Sequence, residues 1–253
     1  MKVFRRFNSP SSRPPCALTI GNFDGVHRGH QVLLQQLVQG ARLRNLSSCL
    51  LTFEPHPREF FSPKDAPPRI QNLRDKLVAL NQLGLDAIVI EEFNQAFAQL
   101  SPEEFVAQIL VKQLNAKWIF VGDDFCYGAK RTGNFASLKA AGQEYGFEVT
   151  SISTVLENTE RISSSLVRRA LELGNMNLAS SLLGRPYSIA GHVLLETHVF
   201  DFNESVYGKL VCVELLERLH EERKYPDLKT LQAAIQHDAQ MARDYFHKKN
   251  MYV

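Results

Sequence analysis

Up to Thr150, short apolar runs alternate with longer amphipathic ones. Ala17–Ile20, Cys49–Phe53, Ala87–Ile90, Trp118–Val121 and Phe147–Ile152 are brief, apolar and partly β-branched, the pattern of strands buried on both faces. Between them apolar residues recur at helical spacing: Val32, Leu33, Leu37 and Val38 within Gly29–Leu43, then Leu73, Leu77 and Leu80 within Asn72–Leu83. Ser101 followed by Pro102, Glu103 and Glu104 predicts a helix start, with a capping hydroxyl, a first-turn proline and an acidic first turn. Strand and helix in alternation predict an α/β fold, a parallel sheet wound with right-handed crossovers.

Further on the pattern changes. Ser163–Gly184 reads as two helices divided near Gly174, leading to Arg185 and Pro186. Tyr187–Phe202 and Val206–Leu215 are strand-like, and Leu228–Phe246 is a helix turning Leu231, Ala234, Ile235 and Ala242 inward. We expect a boundary near Arg185, with a first domain over 1–185 and a second over 186–253.

Composition narrows the function classes. Hydrophobic residues at 44% and charged residues at 22% suit a globular chain and argue against disorder. With 29 basic against 27 acidic residues, bulk nucleic-acid binding is not expected, while local phosphate sites remain open. Cys16, Cys49, Cys126 and Cys212 form no CxxC pair, so neither a zinc site nor a disulfide framework is indicated. The basic N-terminus lacks the apolar core of a secretory signal, and no run approaches the roughly 18 apolar residues of a membrane span. A cytoplasmic protein is the expectation, without nucleic-acid or membrane partners.

The first candidate strand runs into Gly21-Asn22-Phe23-Asp24-Gly25-Val26-His27-Arg28-Gly29-His30, and a helix follows. Ligands of open α/β sheets sit at strand C-terminal ends, and anions favour helix N-termini. Three glycines permit close backbone approach. His27 and His30 flank Gly29, so both imidazoles can serve one small space as hydrogen-bond donors to phosphoryl oxygens. The segment is neither GxxxxGK[ST] nor GxGxxG, and Gly122–Lys130 has the wrong spacing for a Walker loop. A bland alternative is a glycine-rich turn with two surface histidines.

Three other segments lie at strand ends or helix starts. Thr52-Phe53-Glu54-Pro55-His56-Pro57 is a rigid, irregular turn suited to walling a pocket. Gly122-Asp123-Asp124-Phe125-Cys126-Tyr127-Gly128, with Gly133 and Asn134 after it, offers an acceptor in Asp124 and ring surface in Phe125 and Tyr127, unless those rings simply pack the core. In Arg161-Ile162-Ser163-Ser164-Ser165-Leu166-Val167-Arg168, Ser163 or Ser164 can cap a helix, with a guanidinium on each side suited to phosphate oxygens; the adjoining Arg169 reads as a solvated face.

Together these four segments, in order over about residues 17–185, resemble the bacterial bifunctional riboflavin kinase/FMN adenylyltransferases, or FAD synthetases. HxGH alone resembles nucleotidyltransferases in general; the other segments point to flavin. The resemblance implies a Rossmann-like parallel sheet of the HxGH nucleotidyltransferase type and transfer of AMP from ATP to FMN, with Mg²⁺ held mainly through phosphates. It implies His27 and His30 at the α-phosphate, Ser164 and Arg168 at the β,γ-phosphates, and Arg161 assisting. Gly21, Phe23, Asp24, Gly25, Gly29, Ser163 and Ser165 would complete the nucleotide site, although Asp24 is also placed to organise the loop. Pro55, His56, Pro57, Asp124, Phe125, Tyr127 and Asn134 would surround the flavin.

In this family a riboflavin kinase barrel follows. Arg185–Val193 is similar to its opening strand, Leu195–Phe202 and Tyr207–Lys209 to its late part, and Leu228–Phe246 to its closing helix. Between Val193 and Leu194 the family carries several dozen more residues, including a Pro-Thr-x-Asn motif, and this chain contains no Pro-Thr dipeptide. Glu196 matches the kinase base without its nucleotide site. The expectation is a small incomplete β-rich module with a C-terminal helix, no kinase activity, and open sheet edges that invite self-association. Two rivals stay open: another HxGH nucleotidyltransferase, and a non-catalytic flavin-binding remnant.

Overall fold

The computed structural model describes residues 1–6, 13–152, 156–157, 160–192, 200, 202, 209–220 and 225–249. They divide into two compact units, Met1–Arg168 and Arg169–Val253.

The first unit is built on six parallel strands: β1 (Lys2–Arg5), β2 (Cys16–Ile20), β3 (Ser47–Glu54), β4 (Ala87–Glu92), β5 (Ala116–Gly122) and β6 (Glu148–Ile152). Their spatial order is β1-β4-β3-β2-β5-β6. Leu18 of β2 lies between Cys49 of β3 and Ile119 of β5, and all five residues of β2 are buried. The chain therefore moves outward on one side of β2 and then returns to its other side. Such a reversal opens a crevice beyond the strand C-termini, between β2 and β5.

Period-two alternation sends Leu18, Leu51 and Ile119 to one face and Ala17, Leu50, Ile88 and Phe120 to the other. The second face is covered by α1 (Arg28–Leu43) through Leu34, Leu37, Val38 and Ala41, and by α3 (Leu73–Asn81) through Leu80. A short α2 (Pro57–Phe61) follows β3. The first face packs α4 (Gln95–Ala98), α5 (Pro102–Glu104, continuing in wider turns over Phe105–Gln113) and α6 (Phe135–Tyr145). Ser101 and Glu104 complete the expected cap at the start of α5. After β6 comes a small hairpin, β7 (Leu156–Glu157) with β8 (Glu160–Arg161).

Helix α7 (Ser164–Glu172) leads from the first unit into the second, which continues with α8 (Met176–Leu183), β9 (Tyr187–His192), β10 (Leu210–Leu215) and α9 (Leu228–Lys248). The break between α7 and α8 contains Gly174 at φ +67°, as the sequence predicts. Of the expected strands, Tyr187–His192 forms β9, antiparallel to β10, and Phe202 lies outside any strand; residues 193–199, 201 and 203–208 lie outside the described residues. The inward face expected of α9 is not formed. Leu231 and Ile235 are exposed, with Ala234 and Ala242 half-buried. The two strands paired among the described residues offer too little surface to bury a 21-residue helix, and their own Ile189, Leu210 and Val213 are exposed. Among the described residues no helix is long and apolar enough to cross a membrane.

Candidate active site

The loop from β2 into α1 is wound tightly. Phe23, Gly25 and Val26 take φ of +50°, +84° and +42°. For a β-branched residue that region is strained by order 1–3 kcal/mol. Burial offsets the strain, because the Phe23 and Val26 side chains are 3% and 1% exposed, and Gln31 Nε2 donates to the Val26 carbonyl at 2.8 Å. The result presents His27 as the N-cap of α1, its Nδ1 accepting from the His30 N–H at 3.3 Å.

The two imidazoles stack, centroids 3.6 Å apart and planes 15° from parallel, with Phe23 tilted against His30. His30 Nδ1 is buried and has no hydrogen-bond partner among the described residues. Burial first, then the charges of His27 and Lys76, hold the His30 pKa well below the usual imidazole value. His30 is thus neutral near pH 7, with one N–H to donate and one ring nitrogen to accept.

Asp24 ties three segments together. Its carboxylate accepts from the Ile70 and Gln71 N–H groups at 3.1 and 3.3 Å and pairs with Arg168 Nη2 at 2.5 Å. Its carbonyl accepts from Ser164 Oγ at 2.9 Å. Arg168 also donates through Nε to the Pro68 carbonyl at 2.7 Å. Ser163 caps α7, its Oγ accepting from Leu166 N–H; Ser165 is exposed in the first turn. A Cβ at Gly29 would stand 3.4 Å from the Ile162 carbonyl, so the starts of α1 and α7 converge. The histidine pair and the Ser164–Arg168 cluster, apart in sequence, meet here. Ser164 and Arg168 were expected on phosphate; in the structure they grip Asp24. Arg161 lies in β8, and its side chain is outside the described residues.

The turn after β3 forms a second wall, with Glu54–Pro55 cis and Pro55, His56 and Pro57 half-buried. His56 caps α2 through a reciprocal bond with Glu59. Burial lowers the His56 pKa; the Asp24 and Glu59 carboxylates oppose this, while Arg168 and Lys76 add to it. Arg69 forks across Glu54 at 2.6 and 3.0 Å and also pairs with Glu59, fixing this turn to the strand. Between this wall and the glycine loop lies a narrow cleft lined by residues such as Asp24, Phe53, His56 and Lys76.

Sequence reasoning missed Lys76 and Arg69. Lys76 is 7% exposed, and its Nζ donates to the Asn22 carbonyl at 3.2 Å and to Thr52 Oγ1 at 3.4 Å. The available signal was a lysine three residues after Leu73 and four before Leu80, on the apolar stripe of α3.

Beyond β5, Phe125 stacks on Tyr127 with centroids 5.7 Å apart, and Asp124 is exposed. Tyr127 belongs to the core, 7% exposed, with its hydroxyl 3.1 Å from Ser137 Oγ. Asn134 caps α6 by accepting from the Ser137 N–H. Phe53, Phe97, Phe105, Tyr127 and Phe125 form a continuous row of rings with centroids 5.4 to 6.1 Å apart. The row joins the turn after β3 to the segment after β5. Glu196 lies outside the described residues.

Residues 9–166 match the family model described as FAD synthetase, and residues 153–246 match the riboflavin kinase model. The chain is 36% identical to the bifunctional riboflavin kinase/FMN adenylyltransferase of Escherichia coli (strain K12), over 97% of this chain and 98% of that one. It is 35% identical to the protein of the same description from Haemophilus influenzae, over 92% and 94%. The first alignment runs over 307 positions against 253 residues here, so at least 54 residues of that relative have no counterpart in this chain. A crystal structure titled macrolide-efflux protein from Streptococcus pneumoniae shares the fold, with a TM-score of 0.79 at 23% identity, covering 96% of this chain and 98% of that one.

Proposed function

Since the chain belongs to the bifunctional riboflavin kinase/FMN adenylyltransferase family, we propose that it transfers AMP from ATP to FMN, yielding FAD and pyrophosphate, and that it has lost the kinase activity. The observation that carries the transfer reading is the stacked His27–His30 pair at the start of α1, with the start of α7 beside it.

The FMN phosphate is largely dianionic near neutral pH, its second pKa being about 6. It can attack the α-phosphorus of ATP without a general base. The protein's task is alignment and neutralisation of charge on the equatorial and bridging oxygens. His30, neutral and held by stacking, donates to an α-phosphoryl oxygen, and His27 orients it. Arg161 and the N-terminus of α7, whose dipole favours the leaving pyrophosphate, receive the β,γ-phosphates, while Ser164 and Arg168 hold that terminus to the glycine loop through Asp24. The turn around His56 and the Phe125–Tyr127 stack bound the flavin.

Mg²⁺ fits the triphosphate better than the protein. Among the described residues no three His, Cys, Asp or Glu side chains gather as ligands, and the Asp24 carboxylate is taken up by two backbone N–H groups and Arg168. The ion would arrive with ATP and screen its charges.

The same reading makes the enzyme cytoplasmic, gives the transfer chemistry to residues 1–185, and treats 186–253 as a remnant prone to self-associate through its open strands. Absence of the Pro-Thr-x-Asn motif supports loss of the kinase, as does the shortfall of at least 54 residues against the relative. The test is to incubate the purified chain with ATP and Mg²⁺, with FMN in one tube and riboflavin in another, and to resolve the flavins. FAD from FMN and no FMN from riboflavin is the expected result. No product in either tube would sink the transfer reading, and FMN formed as fast as FAD would sink the loss of the kinase.

A further inference from the structure

The cations around the cleft are not equivalent. Arg69 is committed to Glu54 and Glu59, and Arg168 to Asp24. Lys76, by contrast, uses two N–H directions on a carbonyl and a hydroxyl and makes no ion pair among the described residues. A buried ammonium in that state is costly unless something anionic completes it.

Two further atoms on the same cleft wall are incomplete. Asn22 Oδ1 and Gln71 Oε1 are buried and lack hydrogen-bond partners among the described residues, and both residues line the cleft with Lys76. With the Asp24 and Glu54 carboxylates of the same lining neutralised by Arg168 and Arg69, the cleft offers Lys76 as a positive donor and two neutral acceptors, beside the Phe53 ring and the His56 turn. The matching ligand carries a phosphate and, on adjoining carbons, hydroxyls that can donate.

Resting on the transfer reading above, we propose that Lys76 with the Asn22 and Gln71 side-chain amides forms the subsite for a ribityl phosphate, holding the attacking FMN phosphate rather than the triphosphate of ATP. The turn that walls the cleft is the one assigned to the flavin, which favours FMN as the source of the phosphate. Lowering of the Lys76 pKa by burial, only partly countered by Glu54 and Asp24, agrees with a cation lacking a close anionic partner. Lys76 is in this account a binding residue that selects phosphorylated over unphosphorylated flavin.

The test compares the full-length chain with its Lys76→Met and Lys76→Arg variants, titrating FMN and riboflavin by flavin fluorescence and α,β-methylene-ATP by calorimetry. Lys76→Met should weaken FMN about tenfold or more, the scale for one charge-assisted hydrogen bond. Riboflavin and the ATP analogue should stay within about twofold, and Lys76→Arg should recover most of the FMN affinity. Equal weakening of all three ligands would show a merely structural lysine, unchanged FMN affinity would remove it from the site, and loss confined to the ATP analogue would assign it to the triphosphate. Any of these overturns the proposal. If Lys76→Met does not fold, Gln71→Glu should weaken FMN selectively by placing a carboxylate on the same wall. FAD synthesis by the parent chain is assayed in parallel. A parent that makes FAD beside a Lys76→Met that binds FMN normally sinks this inference alone, whereas a parent that neither binds flavin nor makes FAD sinks both.

Discussion

Arg168 closes on Asp24 with 2.5 Å between Nη2 and Oδ2, although 144 residues separate them in sequence. The side chains are 16% and 9% exposed, so the pair is mostly withdrawn from water. Removing one partner leaves a charge without its counterpart, a loss of about 3 kcal/mol for such a site. Arg168→Met should therefore lower stability by about that amount in urea unfolding, as well as raise the KM for ATP. Asp24→Asn should do similar damage by loosening the glycine loop. The double variant should lose clearly less than the two singles combined, since each single already breaks the pair; strict additivity would mean that the contact carries no coupling.

His30 gives a prediction about turnover. Its neutral ring is stacked on His27 and in tilted contact with Phe23. Loss of one preorganised donor costs about 10² to 10³ in rate, so His30→Ala should slow FAD formation by at least about 10²-fold with little change in FMN affinity. Near-normal turnover would take His30 out of the chemistry.

The same residue predicts how stability follows pH. The folded-state pKa of His30 lies well below 6.5, and that of His56 is lowered too, both chiefly by burial. The unfolded chain binds these protons near pH 6.5 while the folded chain refuses them. Stability is therefore full above the unfolded value and is lost as pH falls from there toward the folded one. Between roughly pH 7.5 and 5.5 the parent should lose more stability than His30→Asn, read from urea midpoints. Parallel curves would mean that His30 takes up its proton without penalty.

Much of the site was legible in the sequence because it lies in contiguous segments at strand ends, where an α/β sheet puts its ligands. The histidine pair, the capping serine and the turn around His56 all stand where the strand–helix alternation puts them. What stayed hidden depends on long-range contacts. Nothing in the local pattern links Asp24 to Arg168. Lys76 reads as one solvated charge unless the fold above it is known. Strand β1, Lys2–Arg5, was missed because its residues are all exposed and two of the four are basic, as suits a charged sheet edge. On α1 Leu37 and Val38 are buried as expected, but in the first turns Leu34 is the buried residue, while Val32 and Leu33 are only half-buried. The apolar spacing of α9 was read correctly as helix, yet spacing cannot say whether a partner surface exists to bury it.

The packing of α1 on β5 supplies a last prediction, because it sets where the histidines stand. A Cβ at Gly40 would lie 2.3 Å from Trp118 Cη2 and 2.5 Å from Cζ3. The indole cannot swing aside easily: its Nε1 donates to Thr150 Oγ1 at 2.9 Å, Phe120 stacks against it, and the Arg44 guanidinium covers it at 4.2 Å. In an open helix Gly→Ala stabilises by about 1 kcal/mol. Here the overlap costs about 1–3 kcal/mol, and with a pinned indole the overlap wins. Gly40→Ala should lower the melting temperature and, by pushing α1 off the sheet, reduce FAD formation. Trp118→Phe removes the two clashing atoms, so Gly40→Ala should cost markedly less in that background, down to neutral or stabilising. If Gly40→Ala stabilises the parent chain as much as it does an exposed helix, α1 does not lie as close to Trp118 as described, and the placement of His27 and His30 would need revision with it.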